Sequence, residues 1–223
     1  MQKLPVALQR ILGYLTMAVF PLFVGWGVDD LRGFFRNPAR TAYVGLGLLG
    51  VVVILIPRLN LQPLKKGSQV MGWEFVRAMV ITSFILAFFL PFADRRSLLT
   101  IRGGEALRWA GCALAVLGSA VQTMARWSLG KQYSPFVTLQ VNHQLVQTGL
   151  YKNIRHPMYL GTLITHPGNV LVFRSWLVVP VTVLTLAFVW VRMRQEERLL
   201  AEHFGGEFET YRRQTWRLLP YIC

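Results

Sequence analysis

Hydrophobic residues along this chain are gathered into long blocks that polar segments separate. Four of the blocks have roughly the ~17–25 residues that a helix needs to cross a bilayer, namely Leu12–Val28, Ala42–Ile56, Val76–Phe92 and Ala106–Met124. A fifth block, Met158–Val191, is long enough for two crossings, with a turn expected at Phe173-Arg174-Ser175. The pattern predicts an all-α integral membrane protein, a helical bundle of about five to six transmembrane helices whose last two form a helical hairpin.

Two polar segments lie in the second half of the chain. The loop Ser128–Ile154 is too polar to lie in lipid, and it is far longer than the usual ~4–6 residues of a connection. The tail Arg194–Trp216 alternates charged with aromatic residues and is interrupted by Gly205-Gly206, which predicts two amphipathic helical pieces. We therefore divide the single transmembrane domain, residues 1–223, into four helices over residues 1–127 and a functional part over residues 128–223.

Composition and charge narrow the class further. Hydrophobic residues make up 53% of the chain and charged residues 15%, and the net charge is +14. The cations stand at the ends of the apolar blocks, where lysine and arginine anchor helices to headgroups, so we expect membrane lipids and no nucleic acid as partners. More than half of the 24 lysines and arginines fall on the side that holds the loop and the tail, which predicts a cytoplasmic location for both.

Several short patterns carry less information than their form suggests. The glycines of Gly45-Leu-Gly-Leu-Leu-Gly50 match a dinucleotide fingerprint, but they lie in an apolar block with no preceding strand, which favours packing between helices. The four histidines, at positions 143, 156, 166 and 203, show no metal-ligand spacing, and the two cysteines are distant from them. We therefore expect no metal site.

The stretch Tyr151–Gly161 concentrates polar chemistry at a membrane edge, where such groups are usually functional. Proline suits the first turn of a helix, so a helix that begins at Pro157 would aim N–H groups at the loop and favour an anion. Glu196 and Glu197 supply the opposite charge. A basic helix cap and a solvated helix start explain these residues equally well. A ligand with both a carboxylate and an ammonium or sulfonium would suit the two segments together, and S-adenosylmethionine is one molecule that fits this description.

The order of residues in the second half resembles the isoprenylcysteine carboxyl methyltransferases, and more widely the membrane methyltransferases that include phospholipid N-methyltransferases. The motifs that carry this resemblance are Trp127-x-x-Gly130-x-x-Tyr133-Ser134, His143-x-Leu145-Val146-x-x-Gly149-x-Tyr151, Arg155-His-Pro-x-Tyr159-x-Gly161, Glu196-Glu197, Phe204-Gly205 and Tyr211.

The resemblance implies that residues 128–223 are the catalytic part and bind S-adenosylmethionine in a pocket on the cytosolic side. The residues that it assigns to the cofactor pocket are Gln140, His143, Gln144, Leu145, Val146, Tyr151, His156, Pro157, Met158, Tyr159, Glu196 and Glu197. Arg192 matches the family arginine placed at the substrate, and Arg155 is a second candidate for that catalytic role.

The implied reaction is methyl transfer to a lipophilic acceptor, such as a small molecule or a prenylated protein that carries an isoprenylcysteine carboxylate. A carboxylate needs a cation rather than a base, and arginine suits that role. A phospholipid amine or a thiol is the alternative acceptor. A sterol-reductase-like enzyme that uses NADPH and a non-catalytic membrane protein are further alternatives. The sequence names neither the acceptor nor the oligomeric state.

Overall fold

The fold is given by a computed structural model that describes residues 19–55, 66–69, 73–133, 138–140 and 144–219. Within these residues the chain is helical apart from one short pair of strands. The helices are α1 (residues 19–26), α2 (Leu31–Phe35), α3 (Pro38–Leu55), α4 (Trp73–Arg95), α5 (Gly104–Leu129), α6 (Pro157–Val172), α7 (Val178–Phe204) and α8 (Gly206–Gln214), and the strands are β1 (Lys66–Gln69) and β2 (Thr138–Gln140).

The helices follow the hydrophobic blocks, so the predicted helical fold class is confirmed apart from the two strands. The turn expected at Phe173-Arg174-Ser175 separates α6 from α7, and Arg174 adopts a left-handed conformation there with φ of 49°. The tail breaks at Gly205, as predicted, because a positive φ of 51° at that residue favours glycine. The number of membrane crossings stays a prediction.

Large apolar side chains are exposed on the long helices. Ile81 and Ile85 of α4 and Val183 and Leu184 of α7 are more than half exposed. Apolar surface is costly in water, so these faces suit lipid as a solvent. Among the described residues, one helix, Val178–Phe204, is long and apolar enough to cross a membrane, and its 27 residues extend ~40 Å at 1.5 Å per residue.

The described residues form two compact units. Unit 1 takes residues 19–55, 77–113 and 168–178, and unit 2 takes residues 66–69, 73–76, 114–133, 138–140, 144–167 and 179–219. These units are not the two parts that the sequence suggested, whose functional division at residue 128 stays a prediction.

A buried carboxylate organises unit 1. The side chain of Asp94 has no exposed surface and accepts hydrogen bonds from Arg40 at 3.0 Å and from Arg108 twice at 2.8 Å. Arg174 approaches the same carboxylate at 3.5 Å. Arg108 also donates to the carbonyl oxygen of Val172 at 2.7 Å. A buried charge is tolerated only when it is paired, so this Asp94 cluster joins α3, α4, α5 and the residues after α6.

Close contact between α5 and α6 organises part of unit 2. A Cβ atom added at Gly118 would lie 2.6 Å from the carbonyl oxygen of Gly161, and one added at Gly161 would lie 2.7 Å from that of Gly118. The amide of Gln122 donates to the hydroxyl of Thr165 at 3.3 Å across the same contact. Small residues let helices approach this closely, which explains the glycine that ends the Tyr151–Gly161 stretch.

The glycines of α3 behave differently. A Cβ atom added at Gly45, Gly47 or Gly50 would meet no atom within 4 Å in the described part of the chain. The prediction that these glycines pack against a neighbouring helix is therefore wrong as far as the described helices are concerned. Spacing alone does not say whether a second helix passes over a row of small residues.

Candidate active site

The Tyr151–Gly161 stretch begins in a 3-10 turn, Gly149–Lys152, and continues into α6. Gly149 has a φ of 60°, and a Cβ atom there would overlap the Ser128 hydroxyl, so glycine is required at this turn. Pro157 is buried at the first position of α6, as expected of a residue with a preset φ and no N–H to satisfy.

The tail holds this stretch through its backbone. The N–H of Arg155 donates to the carbonyl oxygen of Trp216 at 2.8 Å, and the N–H of His156 donates to that of Arg217 at 3.1 Å. In return, the N–H of Trp216 donates to the carbonyl oxygen of Asn153 at 2.9 Å. The tail therefore binds the N–H groups of the two residues that precede α6, and the binding of an anion by the start of α6 itself stays a prediction.

Glu197 lies at the centre of the polar groups. Its carboxylate accepts from Arg155 Nε at 3.2 Å and from Arg217 at 3.1 and 2.5 Å, and it lies 3.1 Å from His156 Nε2. The Glu197 side chain is only 10% exposed. We call Glu197, Arg155, Arg217 and His156 the Glu197 cluster. With Nε2–H donating to the carboxylate, His156 is held in one orientation, and its other ring nitrogen, Nδ1, faces Glu196 at 4.0 Å.

A second polar chain runs beside this cluster. Arg192 Nε donates to the Tyr159 hydroxyl at 3.3 Å, and that hydroxyl donates to Glu196 at 2.7 Å. The rings of His156 and Tyr159 are tilted against each other at 5.5 Å between centroids. Arg192 is buried, whereas the Glu196 side chain is 37% exposed. The two adjacent glutamates therefore differ, since one is enclosed by cations and the other remains accessible.

Arg155 does more than pair with Glu197. Its guanidinium also donates to the carbonyl oxygens of Arg212, at 2.9 Å, and of Thr215. The side chain of Arg155 is therefore committed to the tail as well as to Glu197.

Two buried tyrosines complete the attachment of the tail. The Tyr211 hydroxyl of α8 donates to the carbonyl oxygen of Tyr151 at 2.7 Å. Burial raises the pKa of Tyr211 to about 12 and raises the pKa of Tyr151 well above its ordinary value. Both phenols therefore stay protonated at neutral pH, and the Tyr211 hydroxyl remains a donor.

Of the other predicted residues, Gln144, Leu145, Val146 and Met158 make no hydrogen bond to these clusters within the described part of the chain. Gln140 ends β2, which pairs antiparallel with β1 and stands opposite Lys66. His143 lies outside the described residues. Gln144, which is exposed, and Leu145 and Val146, which are half-buried, precede the 3-10 turn, whereas the half-buried Met158 is the second residue of α6.

The sequence analysis missed the roles of Arg217 and Thr215. Arg217 supplies two of the hydrogen bonds to Glu197, and the Thr215 hydroxyl donates to the backbone carbonyl oxygen of Tyr211 at 2.7 Å. Their only signal was a basic residue after Trp216 in a charged tail, which is also what a solvated surface segment looks like.

Comparison with known proteins shows which proteins this chain resembles. Residues 106–207 match the family model described as phospholipid methyltransferase. The chain is 33% identical over 115 residues to the protein-S-isoprenylcysteine O-methyltransferase of Saccharomyces cerevisiae, over 50% of this chain and 48% of that one. It is 27% identical over 117 residues to a probable protein-S-isoprenylcysteine O-methyltransferase of Oryza sativa subsp. indica, over 51% of this chain and 61% of that one.

The match thus spans about half the length of these curated relatives, 48% and 61% in the two cases. A likeness in structure extends further along the chain. The solved structure of the eukaryotic intramembrane Ras methyltransferase, an isoprenylcysteine carboxyl methyltransferase, aligns over 97% of this chain and 96% of that one, with a TM-score of 0.50 and 17% identity. At that identity the likeness concerns the fold, which is the helical fold of a membrane protein. Residues 106–207 are therefore similar to the phospholipid methyltransferase family, and the resemblance of the chain to the isoprenylcysteine carboxyl methyltransferases is confirmed.

Proposed function

We propose that this protein is a membrane methyltransferase that uses S-adenosylmethionine to methylate the carboxylate of a lipophilic acceptor of isoprenylcysteine type. One observation carries the proposal. The segment Arg155–Tyr159 is hydrogen-bonded to the segment Arg192–Glu197, both within the Glu197 cluster and through the Tyr159 hydroxyl. The names of the curated relatives support the same reaction.

The described residues fit the methyl donor in charge and in hydrogen-bonding capacity. Glu196 is accessible and uses one oxygen for Tyr159, so its carboxylate can accept from an ammonium or from ribose hydroxyls. The side-chain oxygen of Gln195, on the same helix, is buried without a hydrogen-bond partner among the described residues, and a buried unpaired acceptor calls for a donor. When bound, S-adenosylmethionine supplies a methyl group on a sulfonium, which a carboxylate oxygen can take while the C–S electron pair stays on sulfur.

The protein's own residues then have distinct tasks. Glu196, Tyr159 and His156 would hold the donor, together with Gln140, His143, Gln144, Leu145, Val146, Tyr151, Pro157 and Met158. We assign the acceptor carboxylate to Arg192, because Arg155 is committed to Glu197 and the tail. Glu197 itself would position His156 rather than contact the donor, since its oxygens already accept from Arg155 and Arg217.

Positioning would account for most of the catalysis, because a sulfonium methyl is already activated and its transfer needs alignment and exclusion of water. The apolar faces of the long helices would let the acceptor's tail remain in lipid while its carboxylate reaches Arg192. We further infer five to six crossings from the lengths of the apolar blocks, and a site that faces the cytosol from the distribution of lysine and arginine.

Methyl transfer with purified protein tests the proposal. We expect label from S-adenosyl-[methyl-³H]methionine to enter N-acetyl-S-farnesylcysteine as a methyl ester, which releases tritiated methanol on treatment with base. The same compound with its carboxylate converted to an amide should take up no label. Absence of both donor binding and transfer by the folded protein would overturn the proposal.

Two variants separate the assigned roles. Arg192→Gln should lower kcat/KM by roughly 10- to 150-fold, since hydrogen bonds to a charged group contribute ~1.5–3 kcal/mol, with donor affinity unchanged. Glu196→Gln should instead weaken donor binding. Glu202→Gln on the exposed part of α7 and Arg213→Gln on α8 are the matched controls and should behave as wild type. Unaltered donor affinity in Glu196→Gln would refute that assignment.

A second candidate is methylation of a phospholipid amine, which the description of the matching family favours. The same assay with phosphatidylethanolamine distinguishes the two acceptors, because an N-methyl group is not released as methanol by base. Label that stays with the lipid headgroup would favour the amine, and volatile label from the prenylcysteine would favour the carboxylate.

A further inference from the structure

Unit 2 contains an open cavity of about 240 Å³ between the end of α7, α8 and the tail. We call it the basic cavity because four of its lining residues are arginines. The residues that matter for its chemistry are Arg194, Arg198, Arg212, Arg217, Glu197 and Phe208. The proposed methyl-transfer reaction uses none of the four guanidiniums as a ligand, so the cavity needs an explanation of its own.

The cavity carries an excess of positive charge. Its one carboxylate, Glu197, is already matched by Arg155 and Arg217, and Arg212 pairs with Glu209 at the surface. Arg194 and Arg198 have no carboxylate partner within the described part of the chain, and both are exposed. Two guanidiniums without anions beside a balanced ion cluster favour binding of an anion.

Part of this charge is held in place by an aromatic ring. The guanidinium of Arg194 lies 4.8 Å from the ring centroid of Trp190, and that of Arg217 lies 5.3 Å from the same ring. Such cation–π contacts restrict long side chains before a ligand arrives. Planar guanidiniums also match the oxygens of a phosphate group better than an ammonium does.

The position of the cavity along α7 indicates where the anion comes from. At 1.5 Å per residue, Arg194 and Arg198 lie about 24 and 30 Å along α7 from Val178, close to the ~30 Å thickness of the hydrocarbon core. Trp190 stands just before them, and tryptophan is enriched where lipid tails meet headgroups. An anion at this level of a membrane-crossing helix is most simply a lipid phosphate.

We propose that the basic cavity binds the phosphate headgroup of an anionic membrane phospholipid, with Arg194 and Arg198 as its main ligands. The cavity has room for about eight waters at ~30 Å³ each, which suits a glycerophosphate headgroup and leaves the acyl chains in the bilayer beside α7. The proposal depends on the membrane fold and is independent of the reaction that the protein catalyses.

Native mass spectrometry of the purified protein tests this. We expect the wild type to retain phosphatidylglycerol in preference to phosphatidylcholine at equal concentration. The double variant Arg194→Gln/Arg198→Gln should lose about 25-fold in affinity for phosphatidylglycerol, at about fivefold for each arginine near a membrane surface. Arg213→Gln removes one charge from an exposed arginine of α8 that does not line the cavity, and it should bind as wild type does.

Three results would overturn the proposal. One is equal retention of the two lipids by the wild type. Another is a loss of about fivefold in Arg213→Gln, the same as for each cavity arginine, which would assign the binding to overall charge. The third is equally tight binding of glycerol 3-phosphate, which has no acyl chains, because a soluble anion would then be the ligand. An unchanged melting temperature of the double variant shows that any loss of lipid does not come from unfolding.

Discussion

The Glu197 cluster makes the strongest prediction about stability. Glu197→Gln keeps the size of the side chain but removes the charge that Arg155, His156 and Arg217 share. Because the Glu197 side chain is 10% exposed and that of Arg155 is 8% exposed, little water can replace the lost carboxylate. Breaking a buried ion pair by removing one partner costs ~3–5 kcal/mol.

This loss of unfolding free energy should lower the melting temperature, Tm. For a chain of this size each kcal/mol lowers Tm by ~2–4 °C, so Glu197→Gln should lower it by ~6–20 °C. Thermal unfolding in detergent, followed by intrinsic fluorescence, measures the change. The natural control is Glu196→Gln, because Glu196 is 37% exposed and accepts one hydrogen bond, from Tyr159. Its loss should cost about 1 kcal/mol.

Comparison of the two variants decides the reasoning. If Glu197→Gln melts no lower than Glu196→Gln, the cluster does not hold the tail to the Tyr151–Gly161 stretch and the assignment of a positioning role to Glu197 is wrong. We expect the two substitutions to have different effects, with the larger loss of stability in Glu197→Gln and the larger loss of donor binding in Glu196→Gln.

Three further predictions concern other parts of the molecule. Asp94→Asn should cost ~3–5 kcal/mol because it removes a buried charge shared by three arginines. Asp29→Asn, at an exposed ion pair, should lower the melting temperature much less in the same assay, because water screens that pair. Gly118→Ala should destabilise the protein by ~1–3 kcal/mol through overpacking, whereas Gly45→Ala, which meets open space among the described residues, should be neutral or stabilising. Tyr211→Phe should lose about 1 kcal/mol. Burial raises the pKa of Tyr211 to about 12 from 10.0. The contribution of the phenol to stability is therefore fully present below pH ~10 and is lost as the pH rises through ~12. Melting temperatures of Tyr211→Phe should lack this decrease at alkaline pH.

Much of the fold could be predicted from the sequence, because lipid-facing helices must be apolar over a fixed length. The turn after α6 and the break at Gly205 were found for local reasons, a polar interruption in one case and glycine in the other. The glycines of α3 were expected to pack against another helix, and among the described helices they do not. Whether a small residue lies under a neighbouring helix depends on where that helix passes, which no local pattern records.

The sequence by itself determined the class of protein and the two segments that are proposed to carry its chemistry, since hydropathy, charge and motif order are properties of the chain alone. The tertiary structure decided which of the polar residues meet. It enclosed Glu197 with Arg155 and Arg217 while leaving its neighbour Glu196 accessible, because adjacent residues on a helix point ~100° apart. It also brought the tail, more than fifty residues away along the chain, to the start of α6. The contacts there are hydrogen bonds between backbone groups, and backbone groups leave no mark in the pattern of side chains.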